Sequence, residues 1–235
     1  IMRRFIAVMI TLLILPAIPS VDAENNLLEV GVIESIDGRY VGATFTSAST
    51  LLTVTKTGNL SEHFWGSGTL ITQWSIDLNT SVNSATLDST GLQVAVAHSG
   101  GVYVINTESR IISGNYETSS SVDTVHWDSE GDMWYGFYGG ERRAKEYRNG
   151  NLTGEQTESH LTALTAMTII SEGRIVTGGR DNLVKVFDQE GVLERSISDF
   201  VSYPSKIVTD ASGNLIVGCS NGDIFRYNLS DWSKD

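Results

Sequence analysis

One cysteine in 235 residues, Cys219, excludes an intrachain disulfide, even in an oxidising compartment that would permit one. It ends the apolar stretch Leu215 to Cys219, where a thiol is buried and inert. Basic residues are also scarce, 16 against 28 acidic ones, for a net charge of −12. Phosphate binding depends on clustered cations, so nucleic acid is not an expected partner. The one dense basic cluster, Arg142, Arg143 and Lys145, is flanked by Glu141 and Glu146 and reads as a solvated strand edge that discourages strand addition. The four histidines, His63, His98, His126 and His160, are scattered without metal-ligand spacing, so no metal is expected. No cofactor motif is found. Three prolines among many Ser, Thr and Gly residues suit short strands joined by tight turns.

Only the N-terminus carries a sustained apolar run. Arg3 and Arg4 precede Phe5 to Leu15, Pro16 breaks the run, and Val21-Asp22-Ala23 offers small residues for cleavage. Residues 1–23 therefore read as a secretory signal peptide, which implies a secreted or cell-envelope exterior location. An uncleaved N-terminal anchor is the alternative, but about 11 apolar residues fall short of the roughly 20 that span a bilayer. Asn59, Asn79, Asn151 and Asn228 each open an Asn-x-Ser/Thr sequon, an acceptor only where the exporting cell glycosylates asparagine.

Residues 24–235 have a rhythm. Turn glycines Gly91, Gly131, Gly173 and Gly213 recur 40, 42 and 40 residues apart. Nine residues after each comes a second turn residue: Gly100, Gly140, Asn182, Gly222. A period near 40 is that of a four-stranded unit that must stack on neighbours to bury its faces. The expected fold is all-β, a β-propeller of about five blades with approximate units 34–81, 82–121, 122–162, 163–203 and 204–235. Two completions stay open: a closed five-bladed ring in which Leu27 to Ile33 pairs beside the last strand, or a fragment of a six- to eight-bladed ring. Three units open with Asp-x-x-Gly, at Asp88, Asp128 and Asp210, where the carboxylate accepts backbone N–H bonds and glycine tolerates positive φ.

Val176-Thr177-Gly178-Gly179-Arg180-Asp181-Asn182-Leu183-Val184-Lys185-Val186-Phe187-Asp188 resembles the second half of a WD-repeat. In that family a His, a Ser or Thr, a turn Asp and a Trp form a structural hydrogen-bond network. The resemblance carries the first three roles onto His160, Thr177 and Asp181, while Phe187 stands where the Trp would be. Asp128-x-x-Gly131-x-Met133-Trp134-x-Gly136 also looks like a sensor-type blade, and Ile216 to Gly222 like a quinoprotein-type one. The quinoprotein docking pattern fails, because no Trp stands four residues after Gly91. The likeness spans residues 45–230 at superfamily level.

Gly218-Cys219-Ser220-Asn221-Gly222 fits a nucleophile elbow formally, but it sits in a strand-to-strand hairpin rather than a strand-to-helix turn. Asp128, Glu130 and Asp132 read as a capped turn without the further ligands of a calcium loop. Trp127, Trp134, Tyr135, Phe137 and Tyr138 read first as packing between blades, with an aromatic sugar platform as the alternative. Equivalent positions in consecutive blades lie side by side around a ring, so the residues seven after each turn glycine, His98, Tyr138, Arg180 and Ser220, form the candidate binding face. The expected function is an exported, non-enzymatic module that binds a protein, small-molecule or glycan ligand through this face. The alternatives are a propeller enzyme, either a quinoprotein-type oxidoreductase or a carbohydrate-active hydrolase or lyase, and the sensor part of a longer envelope protein.

Overall fold

The computed structural model describes residues 39–234 apart from 67, 68, 138, 149 and 150. The expected signal peptide, the expected closing strand at 27–33 and Tyr138 lie outside the described residues. Those residues form a five-bladed β-propeller built from consecutive antiparallel sheets. The first sheet comprises β1 (Tyr40–Ser47), β2 (Thr50–Thr55), β3 (Asn59–Gly66) and β4 (Thr69–Asp77). The second comprises β5 (Val82–Leu87), β6 (Gln93–His98), β7 (Gly101–Asn106) and β8 (Ile111–Glu117). In the third are β9 (Val122–Trp127), β10 (Met133–Phe137), β11 (Ala144–Arg148) and β12 (Asn151–Gln156). The fourth has β13 (Leu164–Ile169), β14 (Ile175–Gly179), β15 (Val184–Phe187) and β16 (Leu193–Ile197). The fifth holds β17 (Pro204–Thr209), β18 (Leu215–Cys219) and β19 (Ile224–Tyr227). After β19 the chain turns, and an isolated antiparallel bridge pairs Tyr227 with Lys234. The helical content among the described residues is one 3-10 turn, Ser171–Gly173, and no helix there is long and apolar enough to cross a membrane.

Each blade runs as a meander from axis to rim, and the first strands β1, β5, β9, β13 and β17 pack against one another in order. Burial follows from this. Middle strands are covered on both faces, so β10 and β14 are buried along their whole length and read as continuous apolar runs. Rim strand β12 is exposed throughout. Apolar clusters fill the four intervals between consecutive blades. Leu52, Leu60 and Trp74 meet Val94, Val96 and Ile105, and Ala97 and Val102 meet Val125, Tyr135 and Tyr147. Trp134 and Ala144 meet Leu164, Met167 and Phe187, and Val176 and Val186 meet Ile207, Leu215 and Tyr227. Trp134, Tyr135 and Phe137 are thus packing residues, and Tyr135 stacks on Tyr147 with ring centroids 3.9 Å apart.

Blades approach closely because Gly136 and Gly178 lie on facing surfaces. A Cβ at Gly136 would stand 3.0 Å from Leu164 Cδ2 of the next blade, and one at Gly178 would stand 2.8 Å from Pro204 Cβ. Gly101 is more constrained: φ is +146°, and a Cβ would fall 2.1 Å from the Tyr116 carbonyl oxygen. Gly101→Ala should therefore cost about 2 kcal/mol or more, since backbone cannot yield as a flexible side chain does. Gly213→Ala, with φ of +80° but open space around it, should cost about 1 kcal/mol. Urea unfolding of the two variants checks the ordering.

Candidate functional site

The inner strand of each blade starts at the end of the barrel where the second strand finishes. Val82 pairs with His98, Val122 with Phe137, Leu164 with Gly179, and Pro204 with Cys219. The hairpins from second to third strand and the mouth of the central channel therefore share one face. The second residues of four inner strands, Asn83, Asp123, Thr165 and Ser205, repeat at the blade spacing. With Tyr203 they line a cleft of about 310 Å³.

Local hydrogen bonds fix how these groups present themselves. Both Asn83 amide protons are used, toward Ser121 Oγ (3.0 Å) and the Val122 carbonyl (2.8 Å), and its Oδ1 accepts from Lys56 Nζ at 2.6 Å. The single Thr165 hydroxyl proton lies between the Gly178 (3.1 Å) and Pro204 (2.5 Å) carbonyls, and Ser205 Oγ donates to the Gly218 carbonyl at 3.0 Å. Asp123 Oδ2 is buried with no donor. Burial lifts the Asp123 carboxyl to about 6, against the opposing pull of the Lys56 charge. Deeper on β9, desolvation depresses His126 to about 3, helped by the positive charge of Lys206. Lys206, next to Ser205, is itself held below the usual lysine range by desolvation.

Of the residues proposed for the loop face, Arg180 and Ser220 occupy it. Arg180 donates its backbone N–H to the Ala163 carbonyl (2.9 Å), and Ser220 donates its own to Tyr203 (3.0 Å). The Arg180 guanidinium lies 5.2 Å from the centre of the Tyr203 ring, and the Ser220 hydroxyl meets that of Ser202. His98 sits elsewhere. The turn after β5 closes from Asp88 to Gln93, whereas those after β9 and β17 close from Asp128 to Asp132 and from Asp210 to Asn214. That extra residue offsets the count from Gly91 by one, so exposed Ser99 takes the loop position. His98 ends β6 instead, buried and stacked on Tyr103 at 4.3 Å, with Nδ1 accepting from the Gly100 N–H.

Lys56 was not legible as a member of this column. Its N–H donates to the Arg39 carbonyl at 2.6 Å, the same hairpin bond that Arg180 and Ser220 make in their blades. Leu161 and Val201, in the loops entering the fourth and fifth blades, are 77% and 86% exposed, and their backbones bond the side chains of Asp181 and Asn182, which follow Arg180. No catalytic or ligand motif marks any of these residues.

His160, Thr177 and Asp181 come together under the same face. Asp181 can only accept, so His160 Nδ1–H donates to its Oδ1 (2.9 Å) and the Nε2 lone pair takes the Thr177 hydroxyl proton (2.8 Å). Asp181 also accepts from the Leu161 N–H at 2.8 Å and the Leu183 N–H at 3.4 Å. Burial works to raise the Asp181 carboxyl, but these hydrogen bonds hold it below the usual range. Desolvation keeps His160 neutral despite Asp181. Phe187 is fully buried and supplies packing without an indole N–H. His63 makes a comparable bridge in the first blade, between the hydroxyls of Thr53 (2.9 Å) and Thr72 (3.0 Å).

The opposite face carries the turns. Asp128 Oδ1 accepts from the backbone N–H groups of Glu130 and Asp132, both at 2.9 Å. Asp88 and Asp210 cap their turns alike through Gln93 N–H and Asn214 N–H. Gly91, Gly131, Gly173 and Gly213 all have positive φ. Asp128, Asp132 and Glu146 place carboxylate oxygens within 4.8 Å of one another, but Arg148 already lies against two of them, bonding Asp132 at 2.5 Å and Glu146 at 3.4 Å. A wider cleft of about 460 Å³ on this face, lined by Glu172, Arg174, Asp188, Glu190 and Glu194, is acidic and open.

No family model matches the sequence, and no curated protein matches it. Among solved structures, a chain of the mitotic checkpoint complex superposes with a TM-score of 0.65 over 94% of this chain and 73% of that one, at 14% identity. The shared fold is a β-propeller. At that identity the likeness speaks to fold, and the chemistry must be argued from the loop face.

Proposed function

We propose that this WD-repeat-like propeller is an exported, non-enzymatic interaction module that binds its partner at the channel mouth. Export rests on the N-terminal pattern of paired arginines, apolar run and small-residue cleavage position. The observation that carries the binding site is the convergence on one face of a polar cleft, the Arg180 and Tyr203 pair, and the exposed aliphatic side chains of Leu161 and Val201. Aromatic and arginine anchors beside apolar surface are the residues on which interface energy concentrates. A non-enzymatic role is supported by the histidines, since His63 and His160 are committed to neighbouring threonines and His98 is stacked on Tyr103.

A photo-crosslinking residue placed at 201 should give a discrete adduct in exporting cells, while one at 189 on the opposite face should not. Combining it with Arg180→Ala and Tyr203→Ala should cut the adduct about tenfold, the loss of one or two anchor contacts. An adduct from 189 but none from 201 would overturn the reading.

A further inference from the structure

The hydroxyl and amide protons around the channel mouth are spent within the protein. Thr165 and Ser205 give theirs to backbone carbonyls, and Asn83 gives both of its to Ser121 and Val122. What these side chains turn toward the cleft is lone pairs. Asp123 lines the cleft with a carboxylate that accepts from no donor, its Oδ2 buried, an arrangement that costs free energy until a donor arrives. The donors that remain nearby are the Tyr203 hydroxyl, the second and third ammonium protons of Lys56, whose first goes to Asn83, and the ammonium of Lys206 beside Ser205. A ligand for this cleft must therefore bring hydrogen-bond donors for Asp123 together with acceptors for the lysines.

Charge narrows the class. Against the single carboxylate of Asp123 stand Lys56, close enough to act on it, and Lys206, which follows Ser205 on β17 and acts on His126 across the fourth blade. His126, on the same strand as Asp123, is held neutral and adds no charge. Ammonium or guanidinium groups would meet two lysines, and a phosphate or carboxylate would meet the unpartnered carboxylate of Asp123. A neutral hydroxyl both donates and accepts. Two adjacent hydroxyls can give a proton to Asp123 and take one from Lys56 while the Tyr203 ring covers the carbon skeleton. A volume of about 310 Å³ is at the small end of ligand clefts, which run from roughly 300 Å³ upward, and suits one ring.

The geometry points to a binding site for a neutral polyhydroxyl ring, a single saccharide unit, at the channel mouth between Asp123 and Lys56. The site rests on the reading of this face as the binding face, and gives it a ligand class.

The test uses the full chain at neutral pH and saturation-transfer NMR with a panel of methyl glycosides, with methylguanidinium and methyl phosphate as charged probes. At least one glycoside should receive saturation and the charged probes none. Asp123→Asn should weaken that glycoside about tenfold or more, the effect of removing one charged hydrogen-bond acceptor. Because Asp123 has no partner in the free protein, this change removes no internal bond, and an unchanged or higher thermal midpoint will verify folding. Ser205→Phe, at an exposed position, should block the cleft by a second route, while Glu194→Gln on the opposite face should bind as the parent does. Failure of every glycoside to bind, binding that ignores both Asp123→Asn and Ser205→Phe, or Asp123-dependent binding of methylguanidinium or methyl phosphate would each overturn the assignment. If crosslinking from position 201 persists in that event, the ligand class alone is wrong; loss of both removes the binding face as well.

Discussion

Acidification from neutral pH to about 4 should lower the thermal midpoint by roughly 10 °C. All four histidines are held below the ordinary value of 6.5 by desolvation, His126 as far as about 3. A group with a depressed histidine value binds fewer protons folded than unfolded. Stability is therefore complete above about pH 6.5 and declines as the pH falls toward each folded value. At pH 4 His126 alone accounts for about 3 kcal/mol on a scale of 1.36 kcal/mol per unit, a large share of a typical total of about 5–15 kcal/mol. Asp123 opposes this. Its carboxyl is raised to about 6, so it destabilises the fold above that value and ceases to do so on protonation. The side chain is partly solvated, which limits the relief to about 1–2 kcal/mol, less than the histidine loss. Circular-dichroism melts across the range, with His126→Gln blunting the acid sensitivity, check the sign and the source. A flat midpoint would contradict it.

Asp181→Ala should destabilise the protein by about 3 kcal/mol, or roughly 6–12 °C in thermal midpoint. The change strands three donors at once, His160 Nδ1–H, Leu161 N–H and Leu183 N–H, and His160 is fully enclosed at the side chain. Asp181→Asn keeps one acceptor oxygen and should cost about 1 kcal/mol. Because the groups act together, His160→Ala added to Asp181→Ala should cost clearly less than the sum of the two single changes. Equal stability of Asp181→Ala and the parent would show that the network carries no load in the fourth blade.

The blade rhythm was readable because turn chemistry is local. Asp88, Asp128 and Asp210 announce their turns by the residues they need within four or five positions, and His160, Thr177 and Asp181 sit in a stretch close enough to the WD-repeat to be named. The loop column was readable for Arg180 and Ser220 but slipped at His98, where one extra turn residue moved the count while the hairpin register stayed fixed. Lys56 escaped because its unit lacks the Asp-x-x-Gly turn that anchors counting, although its backbone bond to Arg39 puts it in the column. Asn83, Asp123, Thr165 and Ser205 recur at the blade spacing and could have been aligned. Nothing in their own side chains marks them, since their meaning comes from four strands meeting at one axis. His63 was invisible for a similar reason: Thr53 and Thr72 become its partners only once β2, β3 and β4 are in register.

Hydrogen exchange on the propeller, alone and with the partner crosslinked from position 201, tests the central claim most directly, because it reads both faces in one measurement. Slowed exchange at 56–58, 180–183, 201–205 and 220–223, with 128–132, 171–174 and 188–194 unchanged, is the predicted pattern. Protection confined to the second set would put the partner on the acidic turns and contradict a binding face at the channel mouth.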